Sequence, residues 1–166
     1  MKILYFQFGE KMGTRGLFGF YYKGKYYVVY NHFDSYPEGL GNIIVYQIIN
    51  AIENGEFDSW LDQMLALKIV DYDMKPTEED INKLKEFTNL TVSTQSTSDW
   101  YCLLHHCQGS LNKVLKSGYI LNHTNKDGLP DFENYAYIIN FDTNKFDFYI
   151  GEELTESYDF NDLPNW

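Results

Sequence analysis

Two aromatic and β-branched runs, broken only by Lys23-Gly24-Lys25, constrain this chain most. Residues 16–22 read GLFGFYY and residues 26–32 read YYVVYNH, with the tight turn at Lys23-Gly24 between them. Such runs flanking a glycine-containing turn predict a β-hairpin. A second hairpin is predicted near the other end of the chain, 135–141 and 146–150, around a turn at 142–145.

Between the hairpins the spacing changes to that of helices. Ile44, Val45, Ile48, Ile49 and Ile52 share one face of a helix over 41–54, with Gly55 as its stop. A helix over 58–69 buries Leu61, Met64 and Leu65. Another starts at Thr77, with acids in its first turn. The longest pattern, Trp100, Leu103, Leu104, Cys107, Leu111, Val114 and Leu115, predicts one helix over about 98–116. Short strands are predicted at 2–8 and 118–121. The expected fold is α+β: an antiparallel sheet of four or five strands made from two hairpins, with about four helices between them. The expected organisation is an extension at 1–11, one domain over 12–151 and an acidic, loosely ordered tail at 152–166.

The chain has 166 residues and a net charge of −11, and no basic stripe is present to neutralise phosphates, so nucleic-acid binding is not expected. Its longest apolar runs fall short of the ~20 residues a membrane span requires, and no signal peptide is read at the start. Cys102 and Cys107 are five apart on the predicted helix, hence about 140° apart around it, a poor geometry for a disulfide. A reducing, intracellular setting is expected. With 15 Tyr, 12 Phe and 3 Trp, part of the aromatic surface is expected to meet a second subunit or a protein partner.

Three constellations could carry chemistry. In Met12-Gly-Thr-Arg-Gly16, cleavage before Thr14 would free an amine to act as base for its own hydroxyl, as in N-terminal-nucleophile hydrolases. Arg15, His32 and Asp34 would then assist as catalytic candidates. The dull reading is a strand start. In the stretch 31–41, NHFDSYPEGLG, the glycines Gly39 and Gly41 could bring backbone N–H groups to an anion at a helix start, with Asn31, Ser35 and Tyr36 as further ligand-binding candidates. Asp34 could orient His32, and Ser35 could be a nucleophile if His32 reached it. The dull reading is a tight helix entry. Cys102 and His106, four apart, could share a metal with His123, but Cys107 falls in the apolar stripe and ligands are too few. No metal and no cofactor are expected.

The stretches Met12–Gly16 and Tyr30–Gly41, with Trp100-Tyr-Cys-Leu-Leu104 and the pieces at 135–142 and 146–149, resemble a group of small proteins of phages, giant DNA viruses and some microbes. These open Met-Gly-Thr-Arg-Gly and carry Asn-x-x-Asp-Ser-Tyr-Pro-x-x-Leu-Gly. The resemblance implies a start at Met12 and a place in the host cytoplasm or the virion. It implies no reaction. The expected function is an oligomeric or binding protein. A small hydrolase using Thr14 and an anion- or nucleotide-binding module at 34–41 are the alternatives.

Overall fold

The computed structural model describes residues 14–166, so the predicted strand at 2–8 and the extension at 1–11 lie outside the described residues. Strands β1 (Gly16–Tyr22) and β2 (Lys25–Asn31) form the first hairpin. Its two turn residues, Lys23 and Gly24, have φ of 47° and 77°, the paired positive values of a turn that follows the twist of its strands. Lys23 N–H donates to the Asp142 carboxylate at 3.0 and 3.1 Å, fastening this turn to that of the second hairpin.

The second hairpin is β5 (Tyr135–Asn140) and β6 (Lys145–Ile150). The two hairpins join through a parallel pairing of β1 with β5, in the register Gly16↔Tyr135 to Tyr21↔Asn140. The sheet, ordered β2-β1-β5-β6-β7, is therefore mixed but mostly antiparallel. Its last strand corrects the expectation of a loose tail: β7 (Glu153–Tyr158) pairs antiparallel with β6. A parallel pair, β3 (Lys68–Val70) and β4 (Tyr119–Leu121), forms a second small sheet.

Among the described residues, five helices lie between the strands. A single π-helical turn (Pro37–Gly41) leads into α1 (Asn42–Glu53), followed by α2 (Trp60–Leu65). The third, α3 (Glu78–Lys83), starts as predicted at Thr77. There the Thr77 hydroxyl accepts from Asp80 N–H while the Asp80 carboxylate accepts from Thr77 N–H.

The predicted single helix over 98–116 is two helices. α4 (Trp100–Leu103) passes through a 3-10 turn (His105–Cys107) to α5 (Leu111–Ser117). Gln108 is extended, Gly109 takes φ 77°, and Ser110 caps α5 by accepting from Lys113 N–H. The break also has a partner in α1: Gln47 donates to Gly109 C=O at 2.8 Å and accepts from Leu111 N–H at 2.7 Å. Every apolar residue of the stripe is nonetheless buried, because both pieces present it to the same core.

That core lies between the helices and one sheet face, where Phe18, Phe20, Tyr137, Ile139, Phe146 and Phe148 meet Trp60, Met64, Leu103 and Leu111. Trp166 closes one end of it. Its ring lies 5.0 Å from that of Phe148, and its backbone exchanges two hydrogen bonds with the Asn42 side chain, at 2.8 and 3.0 Å. The other sheet face carries Leu17, Val28, Ala136 and Ile138, against which Tyr21, Tyr26, Phe132 and Tyr149 pack. No helix among the described residues is long and apolar enough to cross a membrane.

Candidate functional site

A cleft of about 1030 Å³ opens where four chain segments converge beyond the strand ends. β1 and β2 bring the first segment. Arg15 immediately precedes β1, Tyr30 is next to last in β2, and His32 and Phe33 follow it. The parallel pair β3–β4 brings two more residues. Its register ends at Val70↔Leu121, so Tyr72 and His123, each two residues further, arrive side by side. Asn122 fixes that arrival: its N–H donates to Val70 C=O and its amide donates to the Asp71 carboxylate. The loop after His123 doubles back, with Asp131 N–H donating to His123 C=O, and so returns Asp131 and Glu133 to the cleft. The fourth wall is the hydroxyl-rich segment before α4. There the Asp99 carboxylate accepts from Ser93 and Thr94 hydroxyls at 2.8 Å and from Tyr101 N–H at 2.9 Å, placing Tyr101 and His105 at the edge.

The imidazoles are set by their neighbours. His123 Nδ1 lies 3.1 Å from Leu121 C=O, a pure acceptor, so Nδ1 carries the proton and Nε2 holds the lone pair of the neutral ring. Burial lowers the His123 pKa, against the opposing pull of the Leu121 carbonyl, Asp131 and Glu133. Tyr30 stacks on this ring at 5.5 Å and Tyr72 meets it edge-on at 6.1 Å. His32 Nδ1 shares a 2.7 Å hydrogen bond with Tyr30 Oη. Burial also lowers the pKa of His105, helped by the nearby His106 and His32. Burial raises the Tyr30 and Tyr72 phenols, so both remain protonated at neutral pH.

Of the residues the sequence singled out for catalysis, Arg15 and His32 line the cleft, and Thr14 and Asp34 do not. Thr14 is buried, and its carbonyl accepts from Ser35 N–H at 3.2 Å. Asp34 does not orient His32; Tyr30 does. Asp34 instead takes φ 55° and offers its carbonyl to Leu40 N–H, shaping the loop. Ser35 is 0% exposed, and its Oγ accepts from Asn31 Nδ2 at 2.9 Å and donates to Asn31 C=O, so it cannot meet a substrate as a nucleophile.

The expected anion cradle is closed for the same kind of reason. The N–H groups of Gly39 and Gly41 both donate to Tyr36 C=O. These glycines exist for close packing. A Cβ on Gly39 would stand 2.4 Å from Asp34 C=O, and one on Gly41 would stand 2.7 Å from the Trp166 ring. Asn31, Ser35, Leu40 and Gly41 form a buried joint, completed by Tyr137 Oη donating to Ser35 C=O at 2.7 Å, while His32 and Phe33 face the cleft.

Compared with protein-family models, curated proteins and solved structures, the chain matches none. The site is therefore read from its own chemistry. Among the described residues no cluster of three or more His, Cys, Asp or Glu is placed to hold a metal ion. Cys102 is buried with its thiol donating to Val92 C=O, and His106 is exposed. The buried Cys107 thiol is pushed up to about 12 by desolvation and is inert.

Sequence reasoning missed Tyr30, Tyr72, Tyr101, His105, Asp131 and Glu133 as cleft residues, and weighed His123 only as a metal ligand. One signal was present. The chain has a single Arg and four His, and the cleft gathers that Arg with three of the His. Scarce polar types that collect in one place mark a site better than any local motif here.

Proposed function

We propose that this protein binds a small organic molecule in the cleft between Arg15, Tyr30, Tyr101 and His123. The single observation behind this reading is the convergence of the only Arg, three imidazoles and three tyrosines on one open cavity of ligand-pocket size. Aromatic faces supply area at low entropic cost, and the few polar groups fix orientation. The test is a thermal-shift screen of polar metabolites, repeated with Tyr101→Ala and His123→Ala. A ligand at a hundred times its dissociation constant stabilises the fold by about 2.7 kcal/mol, and both variants should blunt that shift. A flat response over the panel overturns the reading.

A second reading, a homo-oligomer, is supported by the outer face of α1. There Ile43, Tyr46, Ile49 and Ile52 are 50%, 66%, 38% and 41% exposed, although the chain as a whole is charged; Ile49 and Ile52 thus lie off the buried face of Ile44, Val45 and Ile48 to which their spacing assigns them. Glu53 is the only charged residue of α1, so two such faces can meet without the repulsion that a net charge of −11 imposes elsewhere. Native mass spectrometry should then show a fixed subunit number that Tyr46→Glu reduces; a monomer would sink this reading. The resemblance of residues 12–41 to phage and giant-virus proteins supports a viral source and action inside the host cell.

A further inference from the structure

The parallel register that opens β1 and β5 sets Gly16 against Tyr135. Arg15 and Glu133, which lie just before those positions, therefore stand at one lip of the cleft, and both line it. Both are exposed and opposite in charge. Among the described residues neither of them, nor Asp131 close by, forms an ion pair within 4.0 Å. A ligand bearing only an anion would meet Arg15 but also face two carboxylates. A ligand bearing only a cation would meet the carboxylates but also face the guanidinium.

We propose that the ligand is zwitterionic, of the short-peptide class, carrying one ammonium, one carboxylate and an apolar or aromatic body. The inference rests on the cleft being a ligand site. Arg15 receives the carboxylate through its planar fork of N–H donors. Glu133 and Asp131 receive the ammonium. The rings of Tyr30, Tyr72 and Tyr101 receive the body. The cleft volume lies at the upper end of the range for ligand pockets, which favours a di- or tripeptide over a single amino acid.

The test is calorimetric titration of the full chain with three probes: glycyl-phenylalanine, its C-terminal amide and its N-acetyl derivative. The first keeps both charges, the second only the cation, the third only the anion. The free dipeptide should bind at least tenfold more tightly than either capped form. Arg15→Gln should erase its advantage over the amide, and the pair Asp131→Asn with Glu133→Gln should erase its advantage over the acetylated form. Equal affinity for a capped form, or retention of the preference in Arg15→Gln, overturns the proposal. Failure of all three probes also overturns it. If a metabolite-screen hit sensitive to Tyr101→Ala remains, the cleft still stands as a binding site; if no hit remains, both readings fall.

Discussion

Tyr30 Oη and His32 Nδ1 lie 2.7 Å apart, and the same Tyr30 ring covers His123 at 5.5 Å. One phenol thus positions two of the three imidazoles in the cleft. Tyr30→Phe removes the hydrogen bond and keeps the stack. It is expected to cost about 1 kcal/mol of stability or less, yet to weaken any ligand that contacts His32. Calorimetric affinity beside a urea titration separates these effects.

Burial holds His105 and His123 neutral, with pKa values below the 6.5 of an unfolded histidine. At pH values below about 6.5 the unfolded chain therefore takes up protons that the native one resists, so stability falls as pH falls. Above that pH their contribution is complete. Melting temperature measured from pH 7.5 to 5 should decline, and the decline should be shallower in His123→Gln. An unchanged slope would contradict the assignment of His123.

Asp80 governs a lower window. Burial works against its charge, but the Tyr119 hydroxyl at 2.6 Å, Thr77 N–H and hydroxyl, and Lys68 at 3.2 Å together hold its carboxyl well below the usual range. Its contribution is complete above the ordinary carboxylate pKa of about 4 and is lost progressively as pH falls from there through the much lower native value. Asp80→Asn keeps the size and loses the charge. It should cost about 1–3 kcal/mol at pH 7, keep most of that cost at pH 3, and lose it only as pH falls further toward the depressed native value, which denaturant titrations at pH 7, 3 and below 2 will show.

Gln47 holds both sides of the break between the 3-10 turn and α5. Gln47→Ala leaves the Gly109 carbonyl and the Leu111 N–H without these partners, with an expected loss of about 1–3 kcal/mol. Because His105 belongs to that 3-10 turn, ligand affinity should fall along with stability. Gln47→Glu keeps the acceptor and removes the donor, so it should recover part of the loss.

Gly41 leaves space that the Trp166 ring fills. Gly41→Ala pushes a methyl group to 2.7 Å from that ring and should cost about 1–3 kcal/mol. Trp166→Ala removes the nearer of the two opposing rings and should relieve part of that penalty, with the Tyr137 ring still 2.9 Å from the new methyl group. A double-mutant cycle by urea denaturation therefore predicts non-additive losses.

The α+β class, both hairpins, the 41–54 helix and the Thr77 cap were legible because each follows from local pattern: alternation, 3.6 periodicity, or a cap three residues before the N–H it accepts from. The break in the 98–116 helix was not. Its apolar stripe is continuous across the stop at Gly109 and the new cap at Ser110, and the Gln47 that secures them is 62 positions from Gly109. The strand at Glu153–Tyr158 was hidden for the opposite reason. An edge strand exposed along nearly its whole length can be acidic, and ELTESY shows no apolar face. The candidate loop at 31–41 attracted a functional reading through residues that pack: Ser35, Gly39 and Gly41 are compact because the backbone is crowded. The cleft itself could not be seen locally, since its residues lie near 15, 30, 72, 100 and 123–133 and meet only in the folded chain, where β3–β4 brings 72 beside 123 and β1–β5 brings 15 beside 133.

The parallel pairing of β1 with β5 also sets an order of events. Gly16 must find Tyr135, a separation of 135 − 16 = 119 residues. At ~5–20 residues per second, synthesis takes roughly 6–24 s to supply that partner. Throughout that interval β1 of the first hairpin, Gly-Leu-Phe-Gly-Phe-Tyr-Tyr, offers an unpaired aromatic edge to any other nascent chain. The long closure makes folding slow, and yield in the cell will depend on what shields that edge while the chain is still being made.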